Sequence, residues 1–156
     1  MKPFRPEHYF DAAIERMAQA RLLFQQRDCH ALAMYVAGVA VECMLCAFKG
    51  KRTKTLDERH DLERLFKASG LVHSDRGPLP RNLPAAIAAT CRLWSNDDRY
   101  ASEDRLRSFL KKDAALRSRI KGDILKALAL QLMQSAQTVV DRDEELWDSS
   151  KKPGIS

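Results

Sequence analysis

The feature that most constrains this fold is an almost uninterrupted apolar segment from Ala31 to Phe48. If the segment is helical, apolar side chains face nearly every direction, so it must be surrounded by protein. Small residues within it would let other helices approach closely: Ala33, Ala37, Gly38, Ala40 and Ala47. The segment is therefore predicted to be the central, buried helix.

A membrane span is the alternative interpretation of the same segment, because its length lies near the lower limit for crossing a bilayer. Glu42 lies inside it, however, and no second apolar span follows. A charged residue in a lone span is costly. The N-terminus also lacks the apolar region of a signal peptide. We therefore expect a cytoplasmic protein with no membrane partner.

Apolar residues recur with helical spacing on both sides of the central segment, and no stretch alternates with the period of a strand. The pattern predicts an all-α fold, an up-and-down bundle of four to five helices. Ser102 is the predicted N-cap of the fifth stretch, which breaks near Asp113. The expected helices are His8 to Gln26, Ala31 to Phe48, His60 to Gly70, Pro84 to Trp94, and a final long one carrying Leu116, Ile120, Ile124, Leu128, Leu132 and Val139.

The 156 residues predict one domain over 1–148, followed by a disordered tail at 149–156. A chain of this length buries about two thirds of its unfolded surface, so it needs no disulfide or metal for stability. The four cysteines lie in or beside apolar helical segments and are predicted to be buried hydrophobic residues. Cys43 and Cys46 have a metal-like spacing, with Cys29-His30 as further ligands, but packing is the favoured interpretation.

The formal net charge of +6 favours contact with a polyanion, although an ordinary solvated surface would give the same value. Gly50 is predicted to end the central helix, and the basic residues around it form what we call the first basic patch: Lys49, Lys51, Arg52 and Lys54. The second basic patch has seven cations and one acid, Asp113, between them: Arg105, Arg107, Lys111, Lys112, Arg117, Arg119 and Lys121.

Three sequence features in this order resemble the HEPN family: the alanine- and glycine-rich run from Ala31 to Ala47, the His60-Asp61-Leu62 opening of the third helix, and Trp94 followed by Arg99-Tyr100. The likeness spans about the first hundred residues. It implies a helical bundle that is usually a homodimer. It also implies either metal-independent RNA cleavage or a non-catalytic role beside a nucleotidyltransferase or another toxin or defence partner.

Catalytic members of that family carry an Arg followed, after four to six residues, by a His, and two protomers share one site. In this chain seven residues separate Arg52 from His60, which is more than the family spacing allows. A Tyr in place of the His does not restore the motif, because seven residues also separate Arg92 from Tyr100. Lys54 has a suitable separation from His60, but an ammonium group cannot hold a phosphate with two parallel bonds as a guanidinium does.

His60, Arg52 and Arg59 are the candidate catalytic residues, because an imidazole could take a ribose 2′-OH proton while cations stabilise the phosphorane. The alternative is that His60 only caps its helix. A second set is predicted to bind nucleic acid or nucleotide: Lys51, Arg52, Lys54, Arg99 and Tyr100.

Glu42 is the candidate structural polar residue, since a buried carboxylate needs a partner. We expect Arg99 as that partner, with Tyr100 nearby, unless Glu42 faces solvent.

No metal site or cofactor is predicted, because the sequence has no glycine-rich phosphate loop and no His-Glu-x-x-His motif. The first functional hypothesis is a dimeric module that binds RNA or nucleotide, with weak metal-independent ribonuclease activity as an open question. The second is a catalytically inactive adaptor beside a separately encoded enzyme. Whether the chain is itself an enzyme is left open by the residues.

Overall fold

The computed structural model describes residues 4–54, 60–71 and 82–151. Within these ranges the chain is all-helical and has no strand, which confirms the predicted fold class. The described part contains seven α-helices and a short 3-10 helix, more than the four or five helices expected. They are α1 Pro6–Phe24, α2 His30–Thr53, α3 Leu62–Ser69, α4 Leu83–Leu93, the 3-10 helix Asn96–Tyr100, α5 Glu103–Leu110, α6 Ala114–Arg119 and α7 Ile124–Ser149.

Helix α2 occupies the centre of the fold, as predicted, and packs against α1, α3 and α7. By length and composition alone it could cross a membrane, since its most apolar 18 residues have a mean hydropathy of 2.0. In the fold, 56% of that stretch is buried inside the protein. Packing in the core therefore accounts for the apolar character of α2.

Aromatic contacts show the relative directions of the three longest helices, α1, α2 and α7. Phe10 near the start of α1 stacks on Trp147 near the end of α7, with ring centroids 4.7 Å apart. Phe48 near the end of α2 meets the same indole edge-on at 5.5 Å. At the opposite end of the bundle, Phe24 packs against His30. Helix α1 therefore runs antiparallel to α2, and α7 runs parallel to α2.

Several predicted helix ends are confirmed. Gly70 ends α3 with a φ of +79°, a left-handed conformation that glycine adopts without strain. Ser102 and Asp113 are the N-caps of α5 and α6, where their side chains accept hydrogen bonds from backbone N–H groups.

Two other predicted boundaries are wrong. Helix α2 passes through Gly50, which is buried, and ends at Thr53, with Lys54 in the left-handed conformation as its C-cap. The long final helix begins at Ile124 and not near Asp113, because Gly122 with a φ of +91° and the N-cap Asp123 interrupt the chain. The predicted disordered tail at 149–156 overlaps α7, which ends at Ser149, and residues 152–156 lie outside the described residues.

Candidate functional site

Glu42 lies on α2 and shares a hydrogen bond with His60, whose Nδ1 donates to Oε1 of the carboxylate. The Glu42 side chain is 13% exposed and the His60 side chain 49% exposed. The expected pairing of Glu42 with Arg99 is therefore wrong, because the segment before α3 brings the imidazole to the carboxylate. Burial raises the pKa of Glu42, while its hydrogen bond and charge interaction with His60 lower it in part.

His60 does not cap α3. The N-cap is Asp61, whose carboxylate accepts a hydrogen bond of 3.1 Å from the backbone N–H of Arg64. Among the described contacts the imidazole is held only through Nδ1, and in the tautomer whose Nδ1–H donates to Glu42 it is Nε2 that can accept a proton. His60 is therefore oriented by Glu42 beside the start of α3.

Arg52 lies at the other end of α3. A Cβ placed on Gly70 would be 2.9 Å from Cδ of Arg52, so the arginine side chain covers the C-terminal end of that helix. Ten residues of α2 separate Arg52 from Glu42, the partner of His60, which corresponds to about 15 Å at the rise of an α-helix. One chain therefore does not bring Arg52 and His60 together. Arg59 lies outside the described residues.

The cleft beside His60 has a volume of about 490 Å³ and runs between the start of α3 and the end of α4. Its charged lining, apart from His60, consists of Asp61, Glu63 and Asp97. Among the described residues that line it there is no lysine or arginine. Three carboxylates would repel a phosphate, so the described lining of this cleft has the opposite charge to that expected.

The other predicted binding residues are dispersed. Lys51 donates a hydrogen bond of 3.2 Å to Oγ of Ser150, and its ammonium lies 3.3 Å from the centre of the Trp147 ring. Arg99 packs on the Tyr100 ring at 4.6 Å. The structure thus places them around different elements and not in the His60 cleft.

The second basic patch lies on α5, α6 and the segment that leads to α7. Of its seven cations, only Arg107 has carboxylate partners in the described part of the chain: Glu103, Asp104 and Asp123. The other six are exposed and have no ion pair among the described residues: Arg105, Lys111, Lys112, Arg117, Arg119 and Lys121. Asp113 and Asp123 cap helices, and the cations outnumber the acids, so this surface keeps a net positive charge.

A second cleft, which we call the α5–α6 cleft, adjoins this patch and has a volume of about 700 Å³. Helices α4, α5, α6 and α7 and the 3-10 helix contribute to its walls. Residues that matter below are Trp94, Leu106, Phe109 and Leu116, together with the exposed Arg92 and Arg119. This cleft was not predicted from the sequence. The available signal was Phe109, an aromatic residue within a run of cations.

The prediction that the cysteines are buried holds in full only for Cys46, since Cys29, Cys43 and Cys91 are half-buried. Burial raises the pKa of the Cys43 thiol to about 11. Within the described ranges, no three His, Cys, Asp or Glu side chains are grouped so that they could hold a metal ion.

No family model, curated protein or solved structure matches this chain. The likeness to the HEPN family therefore rests on the run from Ala31 to Ala47, on His60-Asp61-Leu62, and on Trp94 with Arg99-Tyr100.

Proposed function

We propose that this chain is a dimeric, HEPN-like helical module that binds single-stranded RNA on its second basic patch. The observation that carries the proposal is the set of six exposed cations on one region of the fold without ion pairs among the described residues. A surface of this kind attracts a polyanion, because each phosphate that it neutralises releases condensed counterions. The cations are spread over α5, α6 and the segments that follow each of them, which suits a polymer better than a single nucleotide.

We further propose that the module binds RNA without cleaving it and serves beside a separate enzyme. His60 is oriented by Glu42 as a general base would be, but carboxylates line its cleft. A phosphorane needs nearby cations, and Arg52 covers the far end of α3. This arrangement favours the adaptor role over catalysis by one chain.

RNA binding is tested by fluorescence anisotropy of a labelled single-stranded RNA over a salt series. A variant with Lys111→Ala, Lys112→Ala and Lys121→Ala removes three cations of the patch. The matched control, Arg27→Ala, Arg64→Ala and Lys67→Ala, removes three exposed cations elsewhere. Both variants lower the formal net charge from +6 to +3, so they separate the position of the charge from its total.

The patch variant is expected to bind more weakly, and the slope of log K against log salt should fall by roughly 2, since each lost contact with single-stranded RNA removes about 0.7. The control should stay close to wild type. Equal losses in both variants would show that only total charge matters, and this would overturn the assignment to the patch.

Cleavage is tested separately by incubating a labelled structured RNA with wild type and with His60→Ala in EDTA. The RNA should remain intact with both proteins. Cleavage by wild type that disappears in His60→Ala would show that His60 is catalytic and would contradict the adaptor role.

A further inference from the structure

The α5–α6 cleft combines features that single-stranded RNA can use together. Phe109 is 68% exposed although it is a large aromatic residue. The cleft beside it is lined by apolar side chains, among them Leu106 and Leu116, and its volume of about 700 Å³ lies within the range of ligand sites. An exposed aromatic ring beside such a cleft can stack on a nucleobase.

Arginines supply the charge that an inserted nucleotide requires. Arg92 at the end of α4 and Arg119 at the end of α6 both line the cleft and are exposed. Two carboxylates also line it, and both accept backbone hydrogen bonds: Asp98 from the N–H of Ser95 and Asp113 from the N–H of Leu116. Neither arginine has an ion pair within the described part of the chain. Since Arg119 also belongs to the second basic patch, a strand that follows the patch passes the mouth of the cleft.

We propose that the α5–α6 cleft receives one unstacked base of the bound strand, with Phe109 stacking on the base and Arg92 and Arg119 contacting the flanking phosphates. This inference rests on the proposed function and adds to it a subsite that distinguishes bases from backbone. Stacking accepts every base, so the site recognises single-stranded RNA without requiring a particular sequence.

Trp94 provides a reporter of occupancy. The chain has two tryptophans, and only Trp94 lines the cleft, where its indole Nε1 donates a hydrogen bond to the backbone oxygen of Tyr35. Trp147 is fully buried against α1 and α2. A base in the cleft should therefore quench fluorescence from Trp94, and the variant Trp147→Phe isolates that signal. Because Trp94 also lines the His60 cleft, quenching assigns the base to the α5–α6 cleft only where Phe109→Leu abolishes it.

The experiment compares an oligouridylate of about ten nucleotides with an abasic oligomer of the same backbone, length and charge. Both are titrated against wild type and Phe109→Leu, which removes the aromatic ring but keeps an apolar side chain. Phe4→Leu is the matched control, because Phe4 is also exposed, at 57%, but lies before α1.

Wild type should prefer the oligouridylate by at least about fivefold, the lower end for one stacked base. Phe109→Leu should lose most of this preference while its affinity for the abasic oligomer stays unchanged. Phe4→Leu should behave as wild type. Trp94 fluorescence should be quenched by the oligouridylate and not by the abasic oligomer.

If wild type binds both oligomers with equal, measurable affinity, the base subsite is overturned, but RNA binding by the second basic patch is not. A preference that survives in Phe109→Leu would overturn the base subsite as well, because the base would then sit elsewhere. Failure to bind either oligomer at low salt would overturn the proposed function itself.

Discussion

Gly38 sets the position of Trp94, the residue that follows α4. A Cβ built on Gly38 would lie 2.0 Å from Cδ1 of the indole, well inside van der Waals contact. The substitution Gly38→Ala should force the ring away and break its hydrogen bond to Tyr35. We expect a loss of about 1–3 kcal/mol in the free energy of unfolding, measured by urea denaturation, despite the better helix propensity of alanine.

A second substitution separates this clash from other effects of the new methyl group. Because the smaller ring of Trp94→Phe makes room, Gly38→Ala should cost less in that background than in wild type. Additive losses in the double variant would show that the indole is not what excludes a side chain from Gly38.

Asp143 has a buried carboxyl group with no hydrogen-bond partner among the described residues. Burial raises its pKa well above the ordinary value of 3.8. Below pH 3.8 the carboxyl group is protonated in both the folded and the unfolded chain. Above it the unfolded chain releases the proton while the folded chain keeps it, so stability falls as the pH rises. Asp143→Asn should remove this dependence.

The free energies of unfolding of wild type and Asp143→Asn should therefore diverge as the pH rises, by at most about 1.4 kcal/mol per pH unit. Urea denaturation at a series of pH values from acid to neutral measures this difference. Asp148→Asn, an exposed position on the same helix, is the control and should follow wild type. Parallel pH profiles for wild type and Asp143→Asn would contradict the raised pKa.

At the residue scale, the sequence could show that Glu42 needs a partner but not which one. The choice depends on how α3 packs against α2, and that packing places His60, just before α3, next to Glu42. Arg99, the partner expected from the sequence, packs on Tyr100. Residue types determine which side chains can form a pair, whereas the packing of the helices determines which of them meet.

At the element scale, the start of α7 depends on Asp123. Its carboxylate accepts a hydrogen bond from the backbone N–H of Lys126 at 3.2 Å and another from Arg107 at 3.3 Å. Burial acts to raise the pKa of Asp123, but these hydrogen bonds and the Arg107 charge outweigh it, and the pKa is lowered. Asp123 therefore stabilises the folded state once it is ionised.

Asp123→Ala should lower the free energy of unfolding at neutral pH by about 0.5–2 kcal/mol, the usual cost of losing an N-cap. Asp123→Asn should cost less, because asparagine still caps the helix and only the ion pair is lost. The difference between wild type and Asp123→Ala should shrink as the pH falls below 3.8, where the carboxylate becomes protonated. A difference that is constant with pH would contradict a role for the charge.

The boundaries of α6 and α7 show why element limits were harder to predict than element types. Leu116, Ile120, Ile124 and Leu128 follow one another at four-residue steps, so the apolar pattern crosses the break at Gly122 without a sign of it. At the end of α2, the reverse occurred, since Gly50 suggested a stop and the helix continued. Apolar spacing reports the buried face, while helix ends depend on single backbone conformations.

At the scale of the whole molecule, the central position of α2 and the all-helical class could be predicted because they follow from an apolar pattern many residues long. The candidate site could not be predicted in the same way, because the charge of the His60 cleft and of the second basic patch depends on which carboxylates the fold places beside them. Both regions contain acids and cations in the sequence. In the fold, acids line the first, whereas in the second they cap helices or pair with Arg107.

The assembly of two chains is the remaining property of the whole molecule that we propose. Sedimentation velocity should give a mass of twice the 17.7 kDa chain, and the thermal midpoint should rise with protein concentration, because mass action stabilises a folded dimer. A midpoint and mass that stay monomeric over about a hundredfold range of concentration would contradict this. Since one chain holds Arg52 and His60 at opposite ends of α3, a monomer would also remove any composite site between them.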